Sequence, residues 1–471
     1  MSRVIIQVGP DRDDALCFRL ERGPIPPTDR KPRKLVCSVA QLPTGKPPPP
    51  PNGWVREYGR RLWQELSQHP DVQRALSNAA DGPAGQSQSI MFNLLDQRAE
   101  LYNWEMLCDE GDRFLALERA PIGRIAEQGI DLAGAVPTFT GRLRVTAVLS
   151  ALGVPAEQEW SGLYAAVQAA RATGIRVSVT VLVGEGDLLD KISDVAARDR
   201  DLHAVAVPDR GTDVLRAITD SRPHVLHFFC HGAADQGQPR LLLATGQDVE
   251  RQAVGPATPS VRLHMEQMRT LLAPLGVWLV VLNCCQGGMA AQEVHSLAHS
   301  LAAAGVPAAL GMRETVQALA AYEFSRVFYR ELLTELGTRL ARPADGVVDV
   351  DFDWPHILNA PRAALVESHS DDATTFGEWT LPVLYTRLDP FQVRLAAQDW
   401  DAEPEPGQPA PPPASGPPGL TSDGVTMAIV AALLNRLPAD TPPDAVAELR
   451  RLAGAAPPDA DGPADAPGGP Q

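Results

Sequence analysis

Val277–Gly288 (VWLVVLNCCQGG) reads as a short, continuously apolar strand that runs into a polar, glycine-rich turn, and His224–Gly232 (HVLHFFCHG) has the same shape. A run of about six apolar residues is too short for a buried helix and suits a strand covered on both faces. Leu143–Ser150 (LRVTAVLS) and Ile175–Leu182 (IRVSVTVL) repeat the pattern. Between these runs lie Glu159–Ala172, Thr212–Asp220 and His264–Ala273, in which apolar residues recur every three or four positions, as on one face of a helix. Strands of this kind alternating with helices indicate an α/β fold, an αβα sandwich on a mainly parallel sheet. Function in such sheets sits at the carboxyl ends of the strands.

Two of those ends carry chemistry. One strand delivers His231 and then Gly232; the other delivers Asn283, Cys284 and Cys285, followed by Gln286, Gly287 and Gly288. A thiol attacks an amide only as thiolate, so it needs a neighbouring base or a helix amino terminus. Cys285 has both in prospect, since a helix is expected over Ala290–Ala304 and His231 ends the other strand. Neighbouring side chains leave a strand in opposite directions, so only one of Cys284 and Cys285 can face His231. The glycines that follow and the spacing favour Cys285. The histidine lies about 50 residues upstream of the cysteine, as in the caspase signature Q-A-C-[RQG]-G, which Asn283–Gly287 (NCCQG) matches at Cys, Gln and Gly. Glycine beside each residue admits a substrate backbone, and the amides of Gly232 and Cys285 are natural donors to a developing oxyanion.

Taken together, NWEML (Asn103–Leu107), FLALERAPIGR (Phe114–Arg124), HFFCHG, LVVLNCCQGG, FSRVFYRELLTELG (Phe324–Gly337) and WTLPVLYTR (Trp379–Arg387) resemble the CHAT peptidases, caspase-like proteins of the clan that holds caspases and separases. The resemblance covers about Asn103 to Arg387. It implies a caspase-like fold, a cysteine endopeptidase acting through a thioester, His231 as general base and Cys285 as nucleophile, with Asn283-Cys284-Cys285 standing where the family usually has Ser-Ala-Cys. The tetratricopeptide repeats of many relatives are absent, and Ala318 stands where an acidic residue is often found. In related peptidases the position two before the nucleophile lines the specificity pocket. Here that is the neutral Asn283, with Asp235 and Glu314 as acids after two strand ends that would favour Arg or Lys, and Arg313 as a possible opposing charge.

The chain has 471 residues, of which 38 are Gly and 44 Pro, against an ordinary apolar share of 44%. The excess is therefore local. Residues 1–130 read as a mixed α/β accessory region, with strands at Val4–Val8 and Lys34–Gln41, a proline run at Pro47–Pro51 and a helix over Trp54–Leu66. It could complete the sheet or gate access. Residues 138–395 form the peptidase region, 396–420 a proline-rich linker, 421–456 a small helical module suited to recruiting a protein partner, and 457–471 a tail. The net charge of −16 argues against a nucleic-acid binder, and no apolar run is long enough to span a bilayer. Only four of the 42 basic residues are lysines (Lys31, Lys34, Lys46, Lys191), an arginine bias that suits a high-GC bacterial genome.

Six cysteines in no disulfide spacing and no visible signal peptide suggest a cytoplasmic, reducing setting. Cys17, Cys37, Cys108 and Cys230 read as core residues, and His227 as a core histidine near the site. His295 and His299 have a helical i, i+4 spacing, but without CxxC or further ligands no metal is expected, nor any cofactor. The expected function is thus a caspase-like cysteine endopeptidase cleaving protein substrates in a bacterial signalling or defence assembly. Its rivals are a catalytically inactive scaffold of the same fold and an acyl-transfer or deamidating hydrolase using the same His–Cys pair.

Overall fold

The computed structural model describes residues 3–11, 13–36, 53–82, 88–118, 120–126, 136–235, 238–272, 274–284, 291–313, 316–343, 346–368 and 377–396. Cys285, Glu314, residues 37–41 of the strand expected over Lys34–Gln41, Cys37 among them, and everything beyond Ala396, including the linker, the helical module and the tail, lie outside the described residues.

In chain order the strands are β1 (Val4–Pro10), β2 (Leu16–Arg22), β3 (Arg33–Lys34), β4 (Ile90–Leu94), β5 (Ile122–Ile125), β6 (Thr138–Phe139), β7 (Arg142–Leu149), β8 (Arg176–Val183), β9 (Leu202–Ala206), β10 (Val225–Asp235), β11 (Gln238–Leu243), β12 (Val261–His264), β13 (Leu279–Cys284), β14 (Ala308–Met312), β15 (Val347–Phe352), β16 (Pro382–Thr386) and β17 (Phe391–Ala396). One sheet runs β3-β2-β1-β4-β5-β16-β14-β13-β10-β7-β8-β9, with β11 and β12 branching from β10, and β15-β17-β6 form a separate small sheet. The contiguous run from β14 to β9 is parallel throughout. From the accessory region of residues 1–130, β1, β4 and β5 continue the sheet through β16, their parallel pairing leaving no edge there.

The ten helices are α1 (Trp54–Leu66), α2 (Pro70–Asp81), α3 (Glu157–Ala172), α4 (Gly186–Ala196), α5 (Gly211–Ser221), α6 (Gly246–Val254), α7 (Met265–Leu272), α8 (Ala291–Ala303), α9 (Ala318–Arg339) and α10 (Asn359–Glu367), counted among the described residues. They cover both faces. On the first, Leu163 and Val167 of α3 and Phe324 and Phe328 of α9 pack with Val145, Ala147, Phe229 and Val281. On the second, Val214 of α5, Met268 of α7 and Leu301 of α8 pack with Val148, Leu226, Phe228 and Leu282. Alternate residues of each central strand thus feed two cores, as a doubly covered sheet requires. No described helix is long and apolar enough to cross a membrane.

The helix α3 begins after Pro155, carries Glu157 and Glu159 in its first turn and Arg171 in its last, and stops before Gly174 at φ +98°. A Cβ at Gly162 would meet Arg326 Cα at 3.2 Å, so glycine there lets α9 lie close to α3. The strand of His231 is longer than the expected His224–Phe229. Up to Cys230 it is paired in parallel with β13, and from His231 to Asp235 it pairs antiparallel with β11. The small and polar residues past Cys230, His-Gly-Ala-Ala-Asp, carry no strand period that would show that change of partner in the sequence.

Candidate active site

His231 is the first residue of β10 beyond the parallel sheet. Its ring is half-buried, and its Nε2 donates to the carbonyl oxygen of Leu152 at 2.7 Å. A carbonyl can only accept, so this contact puts the proton of the neutral ring on Nε2 and the lone pair on Nδ1.

The loop that carries Leu152 joins β7 to α3 and is held at several points. Ser150 donates its amide to Phe229 O at 2.8 Å and its hydroxyl to Ala244 O at 2.7 Å. Pro155 O accepts from Tyr322 Oη at 2.5 Å, and Ala156 donates its amide to Glu185 Oε1 at 2.8 Å. Burial raises the Glu185 carboxyl pKa, and the Ala156 bond offsets part of that. Gly153 sits at φ +78°, where a Cβ would also lie 2.7 Å from Gln252 Nε2, so both conformation and space ask for glycine. The acceptor for His231 is therefore on a fixed loop.

Cys284 ends β13 in direct register with Cys230, and their sulfurs are 3.9 Å apart in the second core. Both are buried thiols. Phe229 belongs to the first core and Cys230 to the second, so the alternation of β10 gives His231 the first face and leaves Cys284 on the other. Gly232 is buried and in register with Leu241. Asp235 pairs with Gln238 at the end of β10.

Asn283, expected to line a specificity pocket, faces the interior. It is fully buried, and its Nδ2 lies 3.0 Å from Glu159 Oε1, 2.9 Å from Ser325 Oγ and 3.4 Å from Ala321 O. The physical reason is strand parity: position 283 points under α3 and α9, where two buried polar side chains await it. Arg313, the possible opposing charge, is spent on the carbonyls of Tyr102, at 2.7 Å, and Leu101.

Glu159 was not foreseen as a site residue. Its Oε1 accepts from Ser325 Oγ at 2.6 Å as well as from Asn283, and lies 2.9 Å from His227 Nε2. Glu159, His227 and Asn283 are fully buried, and Ser325 is nearly so. The His227 ring meets Tyr329 edge-on at 5.3 Å. Burial, followed by the Glu159 charge, pushes the Tyr329 phenol well above its ordinary pKa. The contact between His227 and Glu159 lacks the alignment of a hydrogen bond, and Glu159 Oε2, His227 Nδ1 and Asn283 Oδ1 have no hydrogen-bond partner among the described residues. Each such atom costs about 1–3 kcal/mol of desolvation. The sequence did carry a signal: Glu159 and Ser325 are polar residues on the apolar stripes of α3 and α9.

Among the described residues no group of three or more His, Cys, Asp or Glu could hold a metal ion. A groove of about 590 Å³ between α3 and α9, lined by Gln158, Ser161, Tyr322 and Arg326, does not include His231.

Comparison with known proteins places this geometry in context. Residues 56–343 match the family model of the CHAT domain. No curated protein matches the chain by sequence. Among solved structures it is similar to the Arg-specific cysteine proteinase gingipain R (RgpB), with 9% identity, TM-score 0.38, and 70% of this chain and 67% of that one covered. It is also similar to RgpB in the complex of the Porphyromonas gingivalis pro- and mature domains, with 7% identity, TM-score 0.35, and coverage of 69% and 68%. A third is the Saccharomyces cerevisiae separase in its complex with securin, with 11% identity and TM-score 0.33, where the match covers 71% of this chain and spans 17% of the separase chain.

Proposed function

From the premise that the chain belongs to the CHAT domain family and has the fold of caspase-like cysteine proteases, we propose that it is a cysteine endopeptidase with Cys285 as nucleophile and His231 as general base. The observation that carries this reading is the 2.7 Å contact of His231 Nε2 with the Leu152 carbonyl. It orients the ring, leaves Nδ1 to take the proton, and stabilises the imidazolium that forms. The two-residue period of a strand that gives Cys284 the opposite face would return position 285 to the face of His231.

The reaction then runs in two halves. His231 Nδ1 accepts the Cys285 proton, and the thiolate attacks the substrate carbonyl carbon. The oxyanion of the tetrahedral intermediate accepts hydrogen bonds from the amides of Gly232 and Cys285. His231 returns the proton to the leaving amine, the C–N bond breaks, and a thioester remains. Water, deprotonated by His231, attacks that thioester and releases the acid and the thiol.

Asp235 and Glu314 are the acids that would favour Arg or Lys before the cleaved bond, and Asn283 acts from beneath the site. Residues 421–456, beyond the proline-rich stretch 396–420, would hold a protein partner and raise its local concentration. A cytoplasmic, reducing setting would keep the Cys285 thiol available.

The test is a survey of new protein amino termini in cells expressing the parent chain, Cys285→Ala or His231→Ala. Termini made by the parent and lost in both variants are expected. Termini that persist in Cys285→Ala would overturn the nucleophile. Modification without chain scission would point to acyl transfer, and no difference between parent and variants to a scaffold.

A further inference from the structure

The cluster under the sheet joins the two strands on which the proposed dyad depends. His227 precedes His231 by four residues on the same face of β10, and Asn283, on β13, precedes Cys285 by two in the sequence. In the parallel register His227 pairs with Val281 and Phe229 with Asn283, so the two polar side chains lie diagonally across neighbouring strands. A single oxygen, Glu159 Oε1, meets both, at 2.9 and 3.0 Å, and Ser325 Oγ at 2.6 Å ties the same oxygen to α9. Glu159 sits in the first turn of α3, just after the loop whose Leu152 carbonyl binds His231. One short stretch of chain, 152–159, thus touches the base directly and both strands from below.

Aliphatic side chains would fill this space without leaving polar atoms unpaired, and packing alone gives no reason for the cluster. The hydrogen bonds of Asn283 and Ser325 to Glu159 Oε1, with the His227 ring held against the same oxygen at 2.9 Å, have a consequence that apolar packing lacks: they set the offset of two neighbouring strand ends from one point.

We propose that Glu159, through His227 on β10 and Asn283 on β13, is a positioning residue that fixes His231 relative to Cys285. The inference rests on the dyad reading above. Glu159 touches neither substrate nor the reacting atoms. Its loss would let the strand ends drift, lengthening the path from the thiol to His231 Nδ1.

The test uses the full chain and a probe that needs no substrate, the rate of iodoacetamide alkylation at Cys285 followed by peptide mass spectrometry across a range of pH. In the parent, Cys285 is expected to react at neutral pH faster than a free thiol, and His231→Ala to abolish the advantage. Glu159→Leu, which keeps the volume and removes the contacts, is expected to slow the reaction roughly tenfold and to raise the pH of its midpoint. Glu159→Gln, which keeps an acceptor at the same reach, should recover most of the loss. Thr146→Val, which removes a buried hydroxyl paired with Ser221 Oγ in the middle of β7, should leave rate and midpoint at the parent values. A merely structural role would lower the melting temperature without moving the midpoint. Should Glu159→Leu fail to fold, His227→Leu reads the same link from β10, with the same expected rise.

Parent-like rate and midpoint in Glu159→Leu or His227→Leu, with His231→Ala still slow, would overturn the positioning role and leave the dyad standing. An ordinary Cys285 rate in the parent, indifferent to His231→Ala, would overturn the dyad and the positioning role together.

Discussion

Two regions of the molecule bury charge, and they do it differently. At the junction of β5 and β16, the fully buried Arg124 donates from Nε and Nη2 to both oxygens of Glu105, at 3.0 and 2.8 Å, and from Nη1 to Glu100 Oε2 at 2.9 Å. The Tyr102 carbonyl takes a further bond at 3.0 Å. Burial alone would raise the Glu105 carboxyl pKa, and the Arg124 charge and hydrogen bonds outweigh it and hold it below the usual range. Nearby, Asp353 is held by Arg3 at 2.8 Å, His356 at 3.1 Å and the Ser89 hydroxyl. Under the ends of β10 and β13, by contrast, Glu159 has no cation bonded to it in this way, and atoms of three side chains lack partners among the described residues. The charge-paired cluster of Arg124 joins the two halves of the sheet. An under-partnered cluster gives up stability, and the return is sought in what lies above it.

That contrast can be broken by mutation. The largest effect is expected for Arg124→Met, which strands two carboxylates and should cost about 3–5 kcal/mol in denaturant unfolding. A cost below about 1 kcal/mol would make this region no different from the other.

Asp353→Asn comes next. Burial raises the Asp353 pKa, but the His356 hydrogen bond, the Arg3 charge and the Ser89 bond together bring it to about 2, against 3.8 for a free group. A depressed folded-state pKa contributes stability that is present above the unfolded value and lost as pH falls through the folded one. That contribution is about 2 kcal/mol near neutrality. It should fade between about pH 4 and pH 2 in the parent, and the variant should lose less stability than the parent over that window.

Ser325→Ala, in the second region, should cost only about 1 kcal/mol, because it removes one donor from a cluster already short of partners. A cost as large as that of Arg124→Met would show Glu159 to be as tightly clamped as Glu105. The smallest effect is expected for Cys284→Ala. Its sulfur sits in an apolar core opposite His231, so a loss of about 1 kcal/mol with cleavage of protein substrates intact is anticipated. Loss of cleavage in a folded Cys284→Ala protein would reverse the choice between the two cysteines.

Much of this arrangement was legible before any coordinates. Continuous apolar runs such as Leu143–Ser150 and Val277–Leu282 gave β7 and β13, because doubly covered strands have no polar face to confuse their period. Strand parity anticipated that Cys284 and His231 would not share a face. What escaped were elements defined by their partners: β11 and β12 are short, and β10 continues past Cys230 only because β11 pairs with it. Glu159 escaped for a related reason. A lone carboxylate on an apolar stripe declares that it is buried but not which groups meet it, and these are the donors of residues 283 and 325 and the ring of His227. The same non-locality turned Asn283 from an expected pocket residue into an interior one. The share of the sheet supplied by residues 4–125 was open in the sequence as well, since pairing of β5 with β16 joins positions far apart in the chain.

The central claim, that Cys285 is a nucleophile served by His231, is tested most directly by covalent trapping. The protein is incubated with peptidyl acyloxymethyl ketones that vary in the residue before the reactive carbon, and the adduct is mapped by mass spectrometry. The account predicts one adduct, on Cys285, that disappears in His231→Ala while the fold persists. An adduct on Cys284, an adduct undiminished in His231→Ala, or no adduct with any member of the series would contradict it.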